Sequence, residues 1–319
     1  MKPPYEITAK AIQYIASISE KAGEVNAKFL VESSPKLRKQ NRIRTIHSTL
    51  HIEGNTLSEQ QITAILENKR VIGPPKDITE VLNAGQVYQQ LDKFKYHSEK
   101  DFLKAHKILM GKLIADPGKY RKGSVGIVKG QKLEHMAPSH KQVPYLMKDL
   151  FNYVKDKTEI ALVKSCVFHY EMEFIHPFMD GNGRMGRLWQ TLILMEKYPV
   201  FRYLPFETLI SNNQAAYYKA LSNSDKAGNS TPFIEYMLSI IDRSLDELLE
   251  NSSKRLSEDD RLQIFLSKQK GEFSRKDYMD HFKELSTATA SRDLKRAVQE
   301  HLIIKKGDKK TAVYLVNKK

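Results

Sequence analysis

The residues best suited to chemistry lie in one run, His176-Pro177-Phe178-Met179-Asp180-Gly181-Asn182-Gly183-Arg184-Met185-Gly186-Arg187. Gly181 and Gly183 bracket Asn182, so the backbone there can take positive φ and turn several N–H groups toward one point. Such a nest binds anions, and more strongly where a helix begins. The apolar periodicity that starts at Leu188 puts a helix start near Gly183. Arg184 and Arg187 lie three residues apart and project from the same side of its first turn. Two cations at the positive end of a helix dipole are unfavourable unless an anion sits between them, and a local conflict of that kind marks a functional site. Asp180, ahead of the nest, is placed to hold Mg2+ bridging phosphates. His176, at the end of the preceding helix, can take a proton from an incoming hydroxyl near neutral pH. Together these residues describe a cradle for a metal-bound polyphosphate, presented to a nucleophile. Phe178 reads as the loop's anchor in the core, Gly186 as a point of close helix packing, and Trp189, Leu192, Met195 and Cys166 as core.

The elements that must position this run are mostly helical. Apolar spacing predicts helices over 7–31, 37–52, 78–94, 143–154, 159–174, 185–198, 213–223 and 232–249. Ser58 with Gln61 forms a capping-box pattern opening a helix through Leu66, and Ser98 caps another from Phe102 to Ile114. Residues 120–140 differ, with glycines at 123, 126 and 130 and β-branched residues between them, and predict a short hairpin followed by a loop. Residues 250–260 are polar and read as a linker. Beyond them come three short helices, the last opening at Ser286 or Thr287, and a hairpin from Leu302-Ile303-Ile304 to Val313-Tyr314-Leu315-Val316. That is the order of a winged helix-turn-helix.

Composition sets outer bounds. The 319 residues, 40% hydrophobic, suit a folded protein of one large domain with an appendage or of two ordinary ones. No apolar run approaches a membrane span, and the N-terminus lacks a signal-peptide core. Cys166 is the single cysteine, which excludes an internal disulfide and a cysteine-cluster zinc site and fits a reducing, cytoplasmic setting. The net charge of +14 favours an anionic partner without choosing among nucleotide, nucleic acid and membrane surface.

The run from His176 to Arg187 resembles the Fic-family signature, His-x-Phe-x-(Asp/Glu)-Gly-Asn-Gly-Arg-x-x-Arg, at every defined position. The resemblance spans roughly residues 35–245 and implies a mainly α fold, a Fic-type helical bundle with a small β-hairpin flap, here followed by the winged helix-turn-helix. It implies transfer of AMP from ATP to a Ser, Thr or Tyr hydroxyl of a target protein, and of the enzyme itself, with release of pyrophosphate. His176 would be the general base and Asp180 the Mg2+ ligand. Gly181, Asn182, Gly183, Arg184, Met185, Gly186 and Arg187 would bind ATP, with Arg187 meeting the γ-phosphate. A branch of the family that phosphorylates its targets carries lysine where Gly183 stands, so Gly183 favours AMP transfer.

Upstream, Thr49-Leu50-His51-Ile52-Glu53-Gly54-Asn55 resembles the family's inhibitory motif. A carboxylate at a helix C-terminus calls for a cation, and the resemblance supplies Arg187. A Glu53–Arg187 pair would occupy the arginine that the γ-phosphate needs. In some relatives the corresponding glutamate instead supports removal of AMP. Val125, Gly126, Ile127 and Val128 would form the flap edge that pairs with an extended target segment and touches the nucleotide. Tyr217, followed by Tyr218, resembles the tyrosine pair flanking the adenine.

These readings divide the chain into an N-terminal helical region with the inhibitory helix (1–110), a catalytic core (111–249), the linker (250–260) and the winged-helix domain (261–319). In the last, Thr287, Thr289, Ser291, Arg292, Lys295 and Arg296 would face DNA phosphates and base edges, and the lysines around Gly307 would form the wing. A rival reading is a DNA-binding regulator whose nucleotide site only senses ATP. The sequence leaves a homodimer open and gives no membrane partner.

Overall fold

The computed structural model describes residues 2–32, 35–129, 132–253, 257–269, 271–282, 285–308 and 312–317, of which 26–32, 36, 126–129, 132–136 and 251–253 are described by backbone alone. Two compact units form, Met1–Ala27 with Gln40–Leu249, and Lys28–Lys39 with Glu250–Lys319. No helix among the described residues is long and apolar enough to cross a membrane.

Among the described residues, the larger unit is helical apart from one hairpin. The elements from Ala9 to Ser253 are α1 (Ala9–Glu32), α2 (Pro35–Ile52), α3 (Glu59–Leu66), α4 (Pro75–Gln89), α5 (Glu99–Leu109), β1 (Gly126–Lys129), β2 (Lys132–Met136), α6 (Val143–Val154), α7 (Ala161–Ile175), α8 (Asn182–Lys197), α9 (Glu207–Asn212), α10 (Gln214–Ala227) and α11 (Thr231–Ser253), of which the end of α1, the start of α2 and the end of α11 fall in the smaller unit. The caps are those the sequence predicts: Ser58 and Gln61 close a reciprocal box on α3, and the Ser98 side chain accepts from Asp101 N–H on α5.

Helix α7 is buried almost all round, as suits the central helix of a bundle. It packs on α8 at Gly186, where a Cβ would come within 2.7 Å of His169 Cδ2. Phe102, Phe151, Phe168 and Trp189 surround this pair, with Phe102 edge-on to Trp189 at 5.0 Å between ring centroids. The rings contribute their buried area and edge-to-face geometry together.

Several boundaries differ from expectation. Helix α5 ends at Leu109 rather than Ile114, because Lys112 turns left-handed at φ 64°. Helix α4 ends at Gln89 and gives way to a 3-10 turn, Leu91–Lys93. A second 3-10 turn, Pro199–Tyr203, and the short α9 were not anticipated. The expected linker is mostly helical, since α11 runs through Ser253 and the next helix starts at Glu258, capped by Ser257. Residues 254–256 lie outside the described set.

The smaller unit contains α12 (Glu258–Lys268), β3 (Phe273–Ser274), α13 (Arg275–His281), α14 (Thr287–Gln299), β4 (Ile303–Lys306) and β5 (Val313–Val316). Its antiparallel sheet has the order β3-β5-β4. Strand β3 is too short to leave a periodicity in the sequence. Leu262, Phe265, Phe273, Tyr278, Ala290, Leu294, Ala297 and Ile303 form the core. Asp293 is buried on α14 and accepts from Arg261 at 2.7 and 3.0 Å and from Tyr278 Oη at 3.0 Å. Lys309, Lys310, Lys318 and Lys319 lie outside the described residues.

Candidate active site

The signature run is a tight loop between α7 and α8, fixed at both ends. His176 ends α7 in the left-handed region, at φ 49° and ψ 60°. Its Nδ1 lies 3.3 Å from Glu173 O. A carbonyl can only accept, so Nδ1 carries the hydrogen and Nε2 is the basic nitrogen. Asn182 closes the loop: its Oδ1 accepts from Phe178 N–H and its Nδ2 donates to Phe178 O, both at 2.9 Å. The Asn182 side chain is thereby spent on the protein, and only its backbone is left to face a ligand. Phe178 is buried and stacks on His106 at 3.5 Å between centroids.

Two residues that the sequence did not single out hold this loop. His106 Nδ1 accepts from Gly118 N–H at 2.8 Å, so its Nε2–H donates to Asp180 O at 3.0 Å. Burial holds this ring neutral, with its pKa lowered to about 4. Gly181 must be glycine here: its φ is 87°, and a Cβ would meet Met110 Sδ at 2.7 Å. Arg121 is the second residue, and its guanidinium donates to His176 O at 2.7 Å. Neither residue carries a local spacing signal, since each reaches its partners only through the fold.

Helix α8 starts at Asn182, and its first internal bond runs from Met185 N–H to Gly181 O at 3.0 Å. The amides of Asn182, Gly183 and Arg184 therefore precede any intrahelical acceptor and form the anion-binding end. Met185 is fully buried with its amide bonded to Gly181 O, and Gly186 packs against His169.

Arg184 is 3% exposed and donates to Glu80 Oε1 at 3.0 Å and to Asp180 Oδ1 at 2.9 Å. Glu80 also accepts from Asn55 Nδ2 at 2.8 Å. A polar chain thus joins the residue after Gly54 to Asp180. Arg184 acts on the loop by orienting Asp180.

Arg187 is fully buried. Its Nε donates to Thr49 Oγ1 at 2.9 Å, and its Nη2 donates to Thr49 O at 3.1 Å and Glu53 Oε1 at 2.6 Å. Burial is the largest influence and opposes the charge, but the fields of Glu53, Tyr217 and Glu173 and the Glu53 hydrogen bond together outweigh it and the pKa is raised. Gly183 lies directly beneath this group: a Cβ there would stand 2.5 Å from Glu53 Oε1, 3.0 Å from Arg187 Nη1 and 3.2 Å from Glu173 Oε1.

Tyr217 is 1% exposed and bonds Glu173 Oε1 at 3.1 Å and His169 Nε2 at 3.0 Å. Its ring and hydroxyl are enclosed beside Glu173 and His169. Tyr218, 38% exposed, is the accessible member of the pair. Val125 is half-buried ahead of β1, and β1 pairs with β2 through a bulge between Ile127 and Val128.

Among the described residues, no group of three or more His, Cys, Asp or Glu side chains converges to cage a metal. Asp180 is one carboxylate, with Oδ1 engaged by Gly181 N–H at 2.6 Å and by Arg184. This donor set fits Mg2+ arriving on a nucleotide, with phosphates and water supplying its other ligands, and not a tightly held resident ion.

Comparison with known proteins relates this chain to one family. Residues 96–194, which run from the entry to α5 into α8, match the Fic/DOC family. The protein adenylyltransferase fic-1 of Caenorhabditis briggsae is 33% identical over 207 residues, covering 60% of this chain and 38% of that protein. The protein adenylyltransferase Fic of Aedes aegypti is 29% identical over 231 residues, covering 68% and 43%. The chain therefore spans only about two fifths of the length of these relatives. Among solved structures, Fic-1 from C. elegans has a TM-score of 0.64 at 23% identity over 77% of this chain and 75% of that one, a likeness of fold. A Fic family protein from Desulfovibrio desulfuricans G20 has a TM-score of 0.76 at 39% identity, covering 100% of this chain and 99% of that one. A likeness in sequence and in architecture that runs the full length of both chains makes this protein a member of the Fic family.

Proposed function

We propose that this chain is a protein adenylyltransferase that moves AMP from ATP to a hydroxyl of a target protein, and that Glu53 restrains it. The observation that carries this reading is the open start of α8, with His176 ending the preceding helix and the buried Arg187 one turn in. The amides of Asn182, Gly183 and Arg184 would take the phosphates of ATP. Asp180 would hold the Mg2+ that neutralises them, with Arg184 fixing its carboxylate. His176 Nε2 would accept the proton of the attacking Ser, Thr or Tyr hydroxyl as its oxygen bonds to the α-phosphorus. The bond to the bridging oxygen would break, and pyrophosphate would leave. Positioning and charge neutralisation carry most of the rate. The names of the relatives agree with this activity.

The Glu53–Arg187 pair supports the regulatory part. It engages the cation expected to meet the γ-phosphate, and it sets a carboxylate where phosphate oxygens would otherwise approach Gly183. The test is incubation with α-labelled ATP and Mg2+. Wild type should label weakly, Glu53→Gly strongly, and His176→Ala in either background not at all. Equal labelling by wild type and Glu53→Gly would remove the regulatory part, and labelling that survives His176→Ala would remove the base. Release of AMP from a modified protein, dependent on Glu53, would assign the reverse reaction instead.

We further infer that residues 261–319 are a winged helix-turn-helix that contacts DNA phosphates. Arg292 and Lys295 are exposed on α14, and Lys305 and Lys306 are exposed on β4, which supports this reading. Arg296 pairs with Glu258, Asp259 and Glu300, Lys305 with Asp308 and Lys306 with Glu272, exposed pairs that a phosphate would compete for. Salt-dependent duplex binding that is weakened by Arg292→Ala with Lys295→Ala is the expected result.

A further inference from the structure

Arg121 is a 4%-exposed guanidinium that, among the described residues, bonds only backbone carbonyls. Its Nε donates to His176 O at 2.7 Å, and its Nη1 donates to Gly123 O at 2.7 Å. Its Nη2 donates to Pro138 O and, at 3.4 Å, to Ile175 O. Its own backbone N–H donates to Pro177 O at 2.9 Å. Three stretches of chain therefore meet on one side chain: the lead into the hairpin at Gly123, the exit from it at Pro138, and the end of α7 at Ile175 and His176.

Each contact has a physical reason. The carbonyls of Ile175 and His176 lie at the negative end of α7, where a cation is favoured. His176 is a non-glycine residue at φ 49°, directly before a proline, a conformation that costs on the order of 1–3 kcal/mol and persists only where its surroundings impose it. Arg121 holds the two successive carbonyls of His176 and Pro177, the first through Nε and the second through its backbone N–H. A guanidinium can do this because its donors form a rigid planar fork, whereas lysine offers a single point of charge.

We propose that Arg121 is a positioning residue, which fixes the base of the β1–β2 hairpin relative to the His176 imidazole and so sets the target hydroxyl against the base. This rests on the adenylyltransferase reading above. Arg121 touches no reacting atom. It acts on the His176 end of the loop, while the Asp180–Asn182 end, which leads into the nucleotide cradle, is held by Asn182 and His106.

The experiment introduces Arg121→Lys into the Glu53→Gly protein. Transfer at saturating ATP should fall roughly 10–100-fold, the loss typical of a misplacement near 1 Å. Affinity for ATP should change by less than about threefold, because the loss lies in the transition state and not in ground-state binding. Amide hydrogen exchange in the hairpin should quicken. Arg121→Gln, which keeps two donors, replaces the lysine variant if that does not fold, with the same expectations. Unchanged transfer overturns the proposal, as does a loss of ATP affinity equal to the loss of transfer, or a hairpin whose exchange does not change. If Glu53→Gly itself labels nothing, the functional reading fails, while hairpin exchange still decides whether Arg121 is the clamp.

Discussion

Glu53 Oε1 lies 2.6 Å from Arg187 Nη2 and 2.5 Å from where a Cβ on Gly183 would stand. One carboxylate oxygen thus neutralises the buried arginine and covers the glycine at the start of α8. An anion is what the positive end of a helix and an enclosed cation together select. The protein supplies that anion itself, from the end of α2.

Removing it should have two opposed effects. Glu53→Gly leaves Arg187 enclosed without its carboxylate, and loss of one partner of a buried pair is costly. Because Glu53 is 25% exposed, the cost should be on the order of 1–3 kcal/mol, read by chemical denaturation without nucleotide. ATP with Mg2+ should then stabilise the variant more than it stabilises wild type, since phosphate takes the vacated place. A variant as stable as wild type, with no greater response to ATP, would show that the pair does not compete with nucleotide.

Gly183→Ala separates the cradle from the inhibitor. The atoms nearest the added methyl are the ends of the paired Glu53 and Arg187 side chains, so stability without nucleotide should fall by about 1–3 kcal/mol, no more than in Glu53→Gly. The methyl would remain where phosphate oxygens must approach. ATP affinity should drop at least about tenfold, and adding Glu53→Gly should not restore it. Full recovery in the double variant would place the phosphates elsewhere.

The residues legible in the sequence were those whose roles depend on local spacing. His176, Asp180, Gly183 and Arg187 announced themselves because a helix start turns short spacings into a single surface. Glu53 could be paired with Arg187 only through the family resemblance, since helix C-termini often carry Glu-Gly. Arg121, His106 and Glu80 gave no signal, because each reaches the loop across more than fifty residues of chain. Tyr217 is enclosed and Tyr218 exposed, a difference an amphipathic pattern does not predict, because it does not say which tyrosine of an adjacent pair turns inward.

Acid should loosen the site through its buried histidines. Burial lowers His106 to about 4 and His169 to about 3. The unfolded chain binds these protons near pH 6.5 and the native state does not, so this stability is present above that pH and is lost as pH falls toward 4. His106→Asn should be less stable at pH 7, by about 2 kcal/mol, because Gly118 N–H and Asp180 O lose well-placed partners. It should also lose less stability than wild type between pH 6.5 and 4. Parallel pH profiles for the two proteins would mean that His106 is not the group that titrates.

Glu207 should act in the opposite direction. It is fully buried at the start of α9, and among the described residues no other side chain bonds either carboxylate oxygen. Burial raises its pKa to about 8, offset only in part by its own backbone N–H at the helix start and then by the Arg187 charge. The native state therefore holds a proton that the unfolded chain releases near pH 4.5. Stability from this group is complete below pH 4.5 and declines as pH rises toward 8. Glu207→Gln removes the ionisation while keeping the shape. Its advantage over wild type should grow across that interval by on the order of 3 kcal/mol, read by denaturation at a series of pH values. A difference that stays constant with pH would mean that Glu207 is already ionised and paired in the native protein. Arg187 would then keep a second carboxylate after Glu53 withdraws, and Glu53→Gly should cost less stability than predicted above.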